Sequence, residues 1–520
     1  MVPSLAERGE HHALSAASYL GGFRSHRSAL TSLDAIARDP AGNFLVAGSS
    51  RAIGIATDGA PQQSLAGEKD PILAKFDAEG RLLWATYWGS DEGDYGQDVA
   101  VDAAGNAYMT GWTFADFPTT PGGTAGTCDV EEQNSYVAKF SPEGQVLYST
   151  CIDVERAYAI EVDGAGSAYI TGDSTPEDLS GDNLIGPGGT FDAFVVKLTP
   201  DGSAVERSTW IGGSDLEGAS DIQLDDSGAA YVTGVTYSRR DWPVTDPEDE
   251  ISGRMDSFVF KLAPAGDELE YSTFLGGRKR TEATGLTLGS DGTIYATGAI
   301  SKVLPRGLYV HAIGPEGDLI LGYERFGDAD LGPGGIEFTP RETLLIAGGS
   351  DSGGLWLTDP VQSKKGGGFD GFIVELDPDG MEEVFSTYLG GRDADHLSDA
   401  VMTDEGTMFF VGATHSPDMP TLNPHQRSLV GKTDGFYGIV SRTDSDCTME
   451  GSSGRDTMTG TIRADVMCGR GGNDVLRGSD LGDELRGGAG DDRLRGGRGR
   501  DVAKGGRGND VCDAERRRSC

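Results

Sequence analysis

Asp221-Ile222-Gln223-Leu224, the turn Asp225-Asp226-Ser227-Gly228, Ala230-Tyr231-Val232-Thr233-Gly234, then Asp256-Ser257-Phe258-Val259-Phe260-Lys261-Leu262 and a last run closing on Ser272-Thr273-Phe274-Leu275-Gly276-Gly277 form the stretch that decides the fold. Its four short β-type runs, named A to D here, are bounded by Gly, Asp and Pro turns and carry no helical period. Asp and Gly between A and B accept the positive φ of tight hairpins, so the unit reads as a four-stranded antiparallel meander.

The same order recurs at 99–101, 107–110, 136–140 and 146–150, again at 160–162, 168–171, 193–198 and 205–211, and again at 336–338, 344–347, 371–376 and 384–389. The closing phrase returns as Ser18-Tyr19-Leu20-Gly21-Gly22, Thr86-Tyr87-Trp88-Gly89, Ser149-Thr150-Cys151-Ile152-Asp153, Ser208-Thr209-Trp210-Ile211-Gly212-Gly213 and Ser386-Thr387-Tyr388-Leu389-Gly390-Gly391. A worn copy stands at Gly322-Tyr323-Glu324-Arg325-Phe326-Gly327. Sets of A, B and C begin near residues 35, 98, 159, 221, 285, 335 and 399. The seventh set has A at 400–402, B at 408–411 and C at 435–440 but no D, while 14–20 is a D run with no A, B or C before it. The expectation is an all-β chain: a seven-bladed β-propeller of four-stranded blades, closed by the N-terminal strand so that no edge is left bare. Blade 5 reads as short and blade 6 as having a worn D strand.

The unit Asp-x-x-Gly-x-x-Tyr-x-Thr-Gly, then Asp-x-Phe-Val-x-Lys-Leu, then Tyr-Ser-Thr-Phe-Leu-Gly-Gly resembles the bacterial SBBP β-propeller repeat over about residues 13–443. That resemblance implies an architecture and no shared catalytic residues.

The formal charge is −40 over 520 residues, with 13 acidic and 14 basic side chains in 447–520, so the acidity belongs to the body before it. Such a body repels nucleic acid and anionic membranes. No apolar run approaches the ~18 residues of a membrane span, and the first twelve residues lack the apolar core of a signal peptide. By alternation, Ala37, Ala100, Glu161, Gln223, Thr287, Glu337 and Val401 should line the centre of the ring. The D-to-A connections carry Asp91, Glu92, Asp94 and Asp98, Asp215, Glu217 and Asp221, Asp328 and Asp330, and Asp393, Asp395 and Asp399. An acidic propeller mouth of this kind suits a cation or a cell-surface, glycan or protein ligand. The aromatic-Pro corners Phe117-Pro118 and Trp242-Pro243 read as blade packing. Seven histidines form no metal-ligand pair, and there is no G-x-S-x-G elbow.

From Gly451 the period changes to nine: GSSGRDTMT, GTIRADVMC, GRGGNDVLR, GSDLGDELR, GGAGDDRLR, GGRGRDVAK, GGRGNDVCD. Asp holds the sixth place as Asp456, Asp465, Asp474, Asp483, Asp492, Asp501 and Asp510, and the eighth is Met458, Met467, Leu476, Leu485, Leu494, Ala503 or Cys512. These copies resemble the hemolysin-type (RTX) calcium-binding repeat G-G-x-G-x-D-x-U-x. The resemblance implies a short parallel β-roll with two nonads per turn, a buried eighth residue, and Ca²⁺ held by Asp and by turn carbonyls. The expected ligands are Asp456, Asp474, Asp492 and Asp510 with the turn residues Gly469, Gly471, Gly487, Ala489, Gly505 and Arg507 on one flank. On the other, Arg463 and Leu481 in the fourth place disfavour the turn; there Asp483 and Asp501 are the better ligands.

Cysteines at 447, 468, 512 and 520 resemble the disulfide caps of secreted RTX tails, with pairings 447–468, 512–520 and 128–151 expected. The resulting picture has a disordered segment over 1–12, the propeller over 13–443, a linker over 444–450, the calcium-binding β-roll over 451–513 and a C-terminal cap over 514–520. Function is expected to be that of a secreted or cell-surface bacterial calcium-binding protein, monomeric, exported by a leader upstream of Met1, with the propeller as a binding or adhesion platform. The alternative is an extracellular propeller enzyme, a polysaccharide lyase or hydrolase with a calcium-stabilised tail.

Overall fold

A computed structural model of the chain describes residues 11–22, 30–114, 116–122, 128, 133–175, 183–238, 240–245, 255–276, 280–301, 307–325, 331–351, 353–355, 357–443 and 445–520. Among these the chain is all-β, without a helix. Two compact units emerge, one of Leu33–Ala78 and Leu82–Phe338, the other of Met1–Ser32, Glu79–Arg81 and Thr339–Cys520. The expected disorder over 1–12 lies outside the described residues up to residue 10, and a strand begins at His11.

Six sheets follow one another in propeller-like succession, each ordered A-B-C-D as in the sequence. In the fourth, Glu217–Leu224 pairs with Ala230–Thr236, that with Asp256–Leu262, and that with Leu269–Phe274, all antiparallel. The repeated Asp, Tyr and Lys of the motif make one lock. Lys139, Lys197 and Lys261 from strand C lie 3.3, 3.5 and 3.7 Å from Asp102, Asp163 and Asp225 of the A-B turns. The same ammonium groups lie over the rings of Tyr108, Tyr169 and Tyr231 from strand B. A bulge in strand A, between Gly96 and Asp98 and between Ala219 and Asp221, re-aims the Asp that follows. Asp98 Oδ2 then accepts Ile160 N at 2.8 Å and Asp221 Oδ2 accepts Leu286 N at 2.8 Å, each stitching one sheet to the next.

The closing Gly-Gly phrase has a steric cause. At the head of strand C, Asp70, Asp192, Asp370 and Asp434 are fully buried. Their carboxyl groups fill the space a Cβ would need at Gly89, Gly212, Gly390 and Gly21, with closest approaches of 2.8, 2.1, 2.5 and 2.2 Å. Phe117 stacks on Tyr136 with centroids 4.0 Å apart and Trp242 on Phe258 at 4.3 Å, so the aromatic-Pro corners do pack the sheets.

Two details differ from the reading. The worn phrase belongs to the D strand of the fifth sheet, Leu319–Arg325, where Leu319 and Ile320 are 59% and 57% exposed; the sixth sheet closes on Glu382–Leu389 with an intact phrase. The third sheet gains a fifth strand, Asn183–Ile185, parallel to Val205–Ile211.

In the second unit, Asp395–Met402, Met408–Thr414 and Asp434–Thr443 pair in order, and His11–Leu20 pairs antiparallel with the last of them, Leu14 opposite Val440 and Tyr19 opposite Phe436. The orphan strand therefore finds the strand that lacks a partner. Its other edge is also taken, by Met449 beside Leu14 and by Leu422 opposite Ala17. Thr421–Leu422 in turn pairs with Thr457–Thr459. The segment read as a linker thus supplies Met449–Glu450 as the first rung of a C-terminal β-solenoid.

Candidate metal centre

The solenoid has two parallel flanks in an 18-residue register. On one, Met458, Leu476, Leu494 and Cys512 stack; on the other, Met449, Met467, Leu485 and Ala503. All eight are buried, and they join one apolar core with Leu14, Ala17, Met419 and Leu422. The eighth place is therefore apolar for the reason any core is.

Burying the eighth residue turns the sixth inward beside it. In each rung the Asp backbone N–H donates to Oδ1 of the Asp one rung on: Asp456 to Asp474 at 2.8 Å, Asp465 to Asp483 at 2.9 Å, Asp474 to Asp492 at 2.8 Å, Asp483 to Asp501 at 2.9 Å, and Asp492 to Asp510 at 2.9 Å. Asp501 N donates to Glu515 Oε2 at 2.8 Å, so Glu515 ends the ladder where no further nonad supplies an Asp. The second oxygen of Asp474, Asp483, Asp492, Asp501 and Asp510 is buried and accepts no hydrogen bond.

Each of those oxygens lies against the first glycine of its own nonad. A Cβ at Gly469 would stand 2.3 Å from Asp474 Oδ2 and 2.6 Å from the Gly487 carbonyl oxygen. At Gly487 the corresponding oxygens are Asp492 Oδ2 at 2.3 Å and Gly505 O at 2.6 Å, and at Gly478 they are Asp483 Oδ2 at 2.1 Å and Gly496 O at 2.5 Å. Carboxylate and first-place carbonyl thus converge on one small volume that only glycine leaves open. The third-place carbonyls of Ala489 and Arg507 instead accept Gly472 N at 2.8 Å and Gly490 N at 2.7 Å, while Gly471 bridges to Ala489. Among the described residues no group of three or more His, Cys, Asp or Glu gathers as a metal site. A cation here would draw on one or two carboxylates and complete its shell from the backbone, a hard-oxygen set that suits Ca²⁺.

The expected inequality of the flanks is not what the backbone shows. The fourth place has positive φ at Gly472, Leu481, Gly490, Gly499 and Gly508, and the second at Arg470, Ser479, Gly488, Gly497 and Gly506, so nonads three to seven share one turn on both flanks. Leu481 takes φ 62° despite its side chain. Gly454 and Arg463 do not adopt it; the division runs along the chain, with the first two nonads irregular.

Those two also differ in their carboxylates. Asp456 Oδ2 accepts Ser452 N at 2.7 Å and Oδ1 accepts Asn423 Nδ2 at 2.7 Å; Asp465 Oδ2 accepts Thr461 N at 2.7 Å and Thr461 Oγ1 at 3.0 Å. Asp456, read as a leading ligand, is filled by protein donors. Second-place Ser452 and Thr461 were the available signal, whereas Asn423 and Glu515 lie outside the repeat and had none. Burial first, then the carboxylates of the neighbouring rungs, push Asp474 up to about 7 and Asp483 up to about 8. Burial followed by Asp510 and Asp491 raises Asp492.

The acidic D-to-A corners serve mostly as scaffold. Asp94, Glu217 and Asp395 are buried. They accept Ser90 N at 2.5 Å, Gly213 N at 2.8 Å and Gly391 N at 2.7 Å. Asp91, Glu92, Asp215 and Asp393 face solvent, and Asp328 and Asp330 lie outside the described residues. Glu161 Oε1 accepts Val162 N of its own strand at 2.9 Å. The six cysteines form the pairs Cys128–Cys151, Cys447–Cys468 and Cys512–Cys520.

The chain carries RTX calcium-binding nonapeptide repeats, matched at residues 450–485 and 477–512, and an SBBP β-propeller repeat, matched at 83–118. It is similar to the regulatory protein FlaEY of Caulobacter vibrioides, 24% identical over 388 residues that make up 73% of this chain and 35% of that protein. The chain therefore spans about a third of that relative's length. Similar solved structures include a protein of unknown function from Dyadobacter fermentans, at 11% identity and TM-score 0.41 over 83% of this chain and 99% of that one. Another is the polysaccharide lyase Uly1, at 9% identity and TM-score 0.41 over 83% and 98%. The β-propeller domain of the Trilobed protease from Pyrococcus furiosus matches at 9% identity and TM-score 0.38 over 75% and 91%.

Proposed function

We propose that the chain is an exported calcium-binding protein in which a seven-bladed β-propeller over 13–443 is a binding platform and a parallel β-roll over 451–513 is held together by Ca²⁺. The observation that carries the calcium reading is the row of five Asp residues, Asp474, Asp483, Asp492, Asp501 and Asp510, each with one buried oxygen left without a donor. Stacked carboxylates repel one another and want a cation between them. Ion sites are assigned between Asp474 and Asp492, between Asp492 and Asp510, and between Asp483 and Asp501, with Gly487, Gly496 and Gly505 offering carbonyls. Calcium supplies positive charge there and stabilises the folded solenoid by mass action. The pairing of His11–Leu20 with Asp434–Thr443 supports closure of a seventh blade. Three disulfides and a body that carries the whole of the −40 charge favour an oxidising, extracellular setting.

The test is a calcium titration of the full chain, followed by calorimetry and thermal unfolding. Saturable uptake of Ca²⁺ and a midpoint raised by several degrees at millimolar Ca²⁺, without an equal effect of Mg²⁺, are expected. An unchanged midpoint and no heat of binding at millimolar Ca²⁺ would sink the reading.

A further inference from the structure

The even nonads depart from their own repeat in one place. At the third position they carry Ile462, Asp480 and Arg498, and at the fourth Arg463, Leu481 and Gly499; the odd nonads carry Ser453, Gly471, Ala489 and Arg507, then glycine throughout. These even-nonad residues line a cleft of about 530 Å³, whose far wall is Arg392 and Asp418. Apart from Arg507 the sister flank has small residues at these places, and the bulky and charged side chains of the even nonads converge on a concavity.

Leu481 shows that the departure is costly. Its φ of 62° is the left-handed region that its counterparts fill with glycine, and its side chain is 51% exposed. A β-carbon in that region costs about 1–2 kcal/mol, and exposed leucine gains little burial in return. Strain held against this cost points to use. Around it stand three guanidinium groups and the carboxylates of Asp418 and Asp480, a net positive lining. Arg392 is oriented by Asp418, which accepts its backbone N–H at 3.1 Å and lies 3.9 Å from its Nε. Arg463 donates to the Lys365 carbonyl, and its Nε is buried with no hydrogen-bond partner. Arg498 is exposed and forms no ion pair among the described residues.

We infer that this cleft is a binding site for a short acidic oligosaccharide. The open guanidinium fork of Arg498 suits a planar carboxylate or sulfate, which it can grip bidentately, and Arg392 and Arg463 add positive charge beside it. Ile462 and Leu481 between them offer an apolar surface to the C–H face of a sugar ring, which a bare inorganic anion lacks. The strongly acidic remainder of the chain disfavours a long polyanion, so the ligand is a short segment or chain end. The inference requires a folded solenoid, and it stands or falls separately from the calcium proposal because the two have different readouts.

The experiment is calorimetric titration of the full chain, in calcium and in chelator, with a tetrasaccharide of alternating glucuronate and acetamido sugar. A neutral chitotetraose, sodium sulfate and a short oligoglutamate are run beside it, and circular dichroism reports folding independently. Saturable binding of the glucuronate tetrasaccharide alone is expected, weakened by salt and weakened at least tenfold by Arg498→Gln. Leu481→Gly should weaken it about threefold while leaving the fold intact, since glycine is what the turn prefers. Absence of binding by a folded protein would overturn the inference. So would binding indifferent to Arg498→Gln and Leu481→Gly, or equal binding of sulfate or oligoglutamate.

Discussion

At the sixth place of a nonad the two carboxylate oxygens have different duties. In nonads three to seven Oδ1 belongs to the fold, accepting an amide from the neighbouring rung, while Oδ2 is buried without a donor and is the oxygen the proposed ion would take. Asp492→Asn keeps an acceptor for the Asp474 amide but removes charge from two assigned sites. It should lower calcium affinity at least tenfold by calorimetry, about 1.4 kcal/mol or more. Asp456→Asn, where Ser452 and Asn423 already satisfy the group, should leave affinity within about twofold. The pH dependence has a definite sign. Folded Asp474 and Asp483 are raised to about 7 and about 8, above an unfolded value near 3.9, so the calcium-free fold prefers them protonated. Their contribution is present in acid and is lost as pH rises from about 4 through about 8. The urea midpoint of the calcium-free protein should fall across that range, and saturating calcium should abolish or reverse the fall because the ion requires the carboxylates ionised.

A strand can be shared by two architectures, and His11–Leu20 is: one edge pairs with Asp434–Thr443, the other with Met449 and Leu422. Deleting residues 11–20 exposes Val440 and Phe436 and also removes the neighbour of the first solenoid rung. Loss of a single cooperative unfolding transition is expected, together with weaker calcium binding, in a denaturant titration with and without Ca²⁺. A normal calcium response in the deleted protein would show that the solenoid forms without this strand. Strand identity and order were legible because the A-B turns, Thr339-Pro340-Arg341-Glu342 excepted, carry Asp and Gly, and four C strands end in Lys-Leu or Lys-Phe. The extra strand Asn183–Ile185 was not, since three residues cannot display a period and its partner edge, Val205–Ile211, is a contact distant in sequence.

Across the whole chain, the disulfides pin the ends of the segment that calcium is proposed to hold. Cys447–Cys468 ties the first rung to the second nonad, and Cys512–Cys520 ties the last nonad to the terminus. The irregular first turns and the truncated last turn, where Val502 pairs with Arg516, are thus each pinned covalently. Reduction should cost about 2–4 kcal/mol per bond and lower the thermal midpoint more in chelator than in calcium, as read by calorimetry with and without reductant. An equal drop in both would mean that the two devices hold different parts of the molecule.

The nine-residue period and the four-strand unit were readable because each is a local demand: a core residue every second position or every ninth, and glycine where a turn needs positive φ. From these came the all-β class, the meander order and the row of Asp residues. Tertiary contacts alone determined which Asp keeps an oxygen without a protein donor, because Asn423 and the second-place Ser452 and Thr461 donate to the lone pairs of Asp456 and Asp465. They also turned Asp94, Glu217 and Asp395 from an apparent acidic mouth into buried acceptors for corner amides. A carboxylate reads the same in a sequence whether water, a backbone N–H or an ion satisfies it, and only burial and neighbours in space tell these apart.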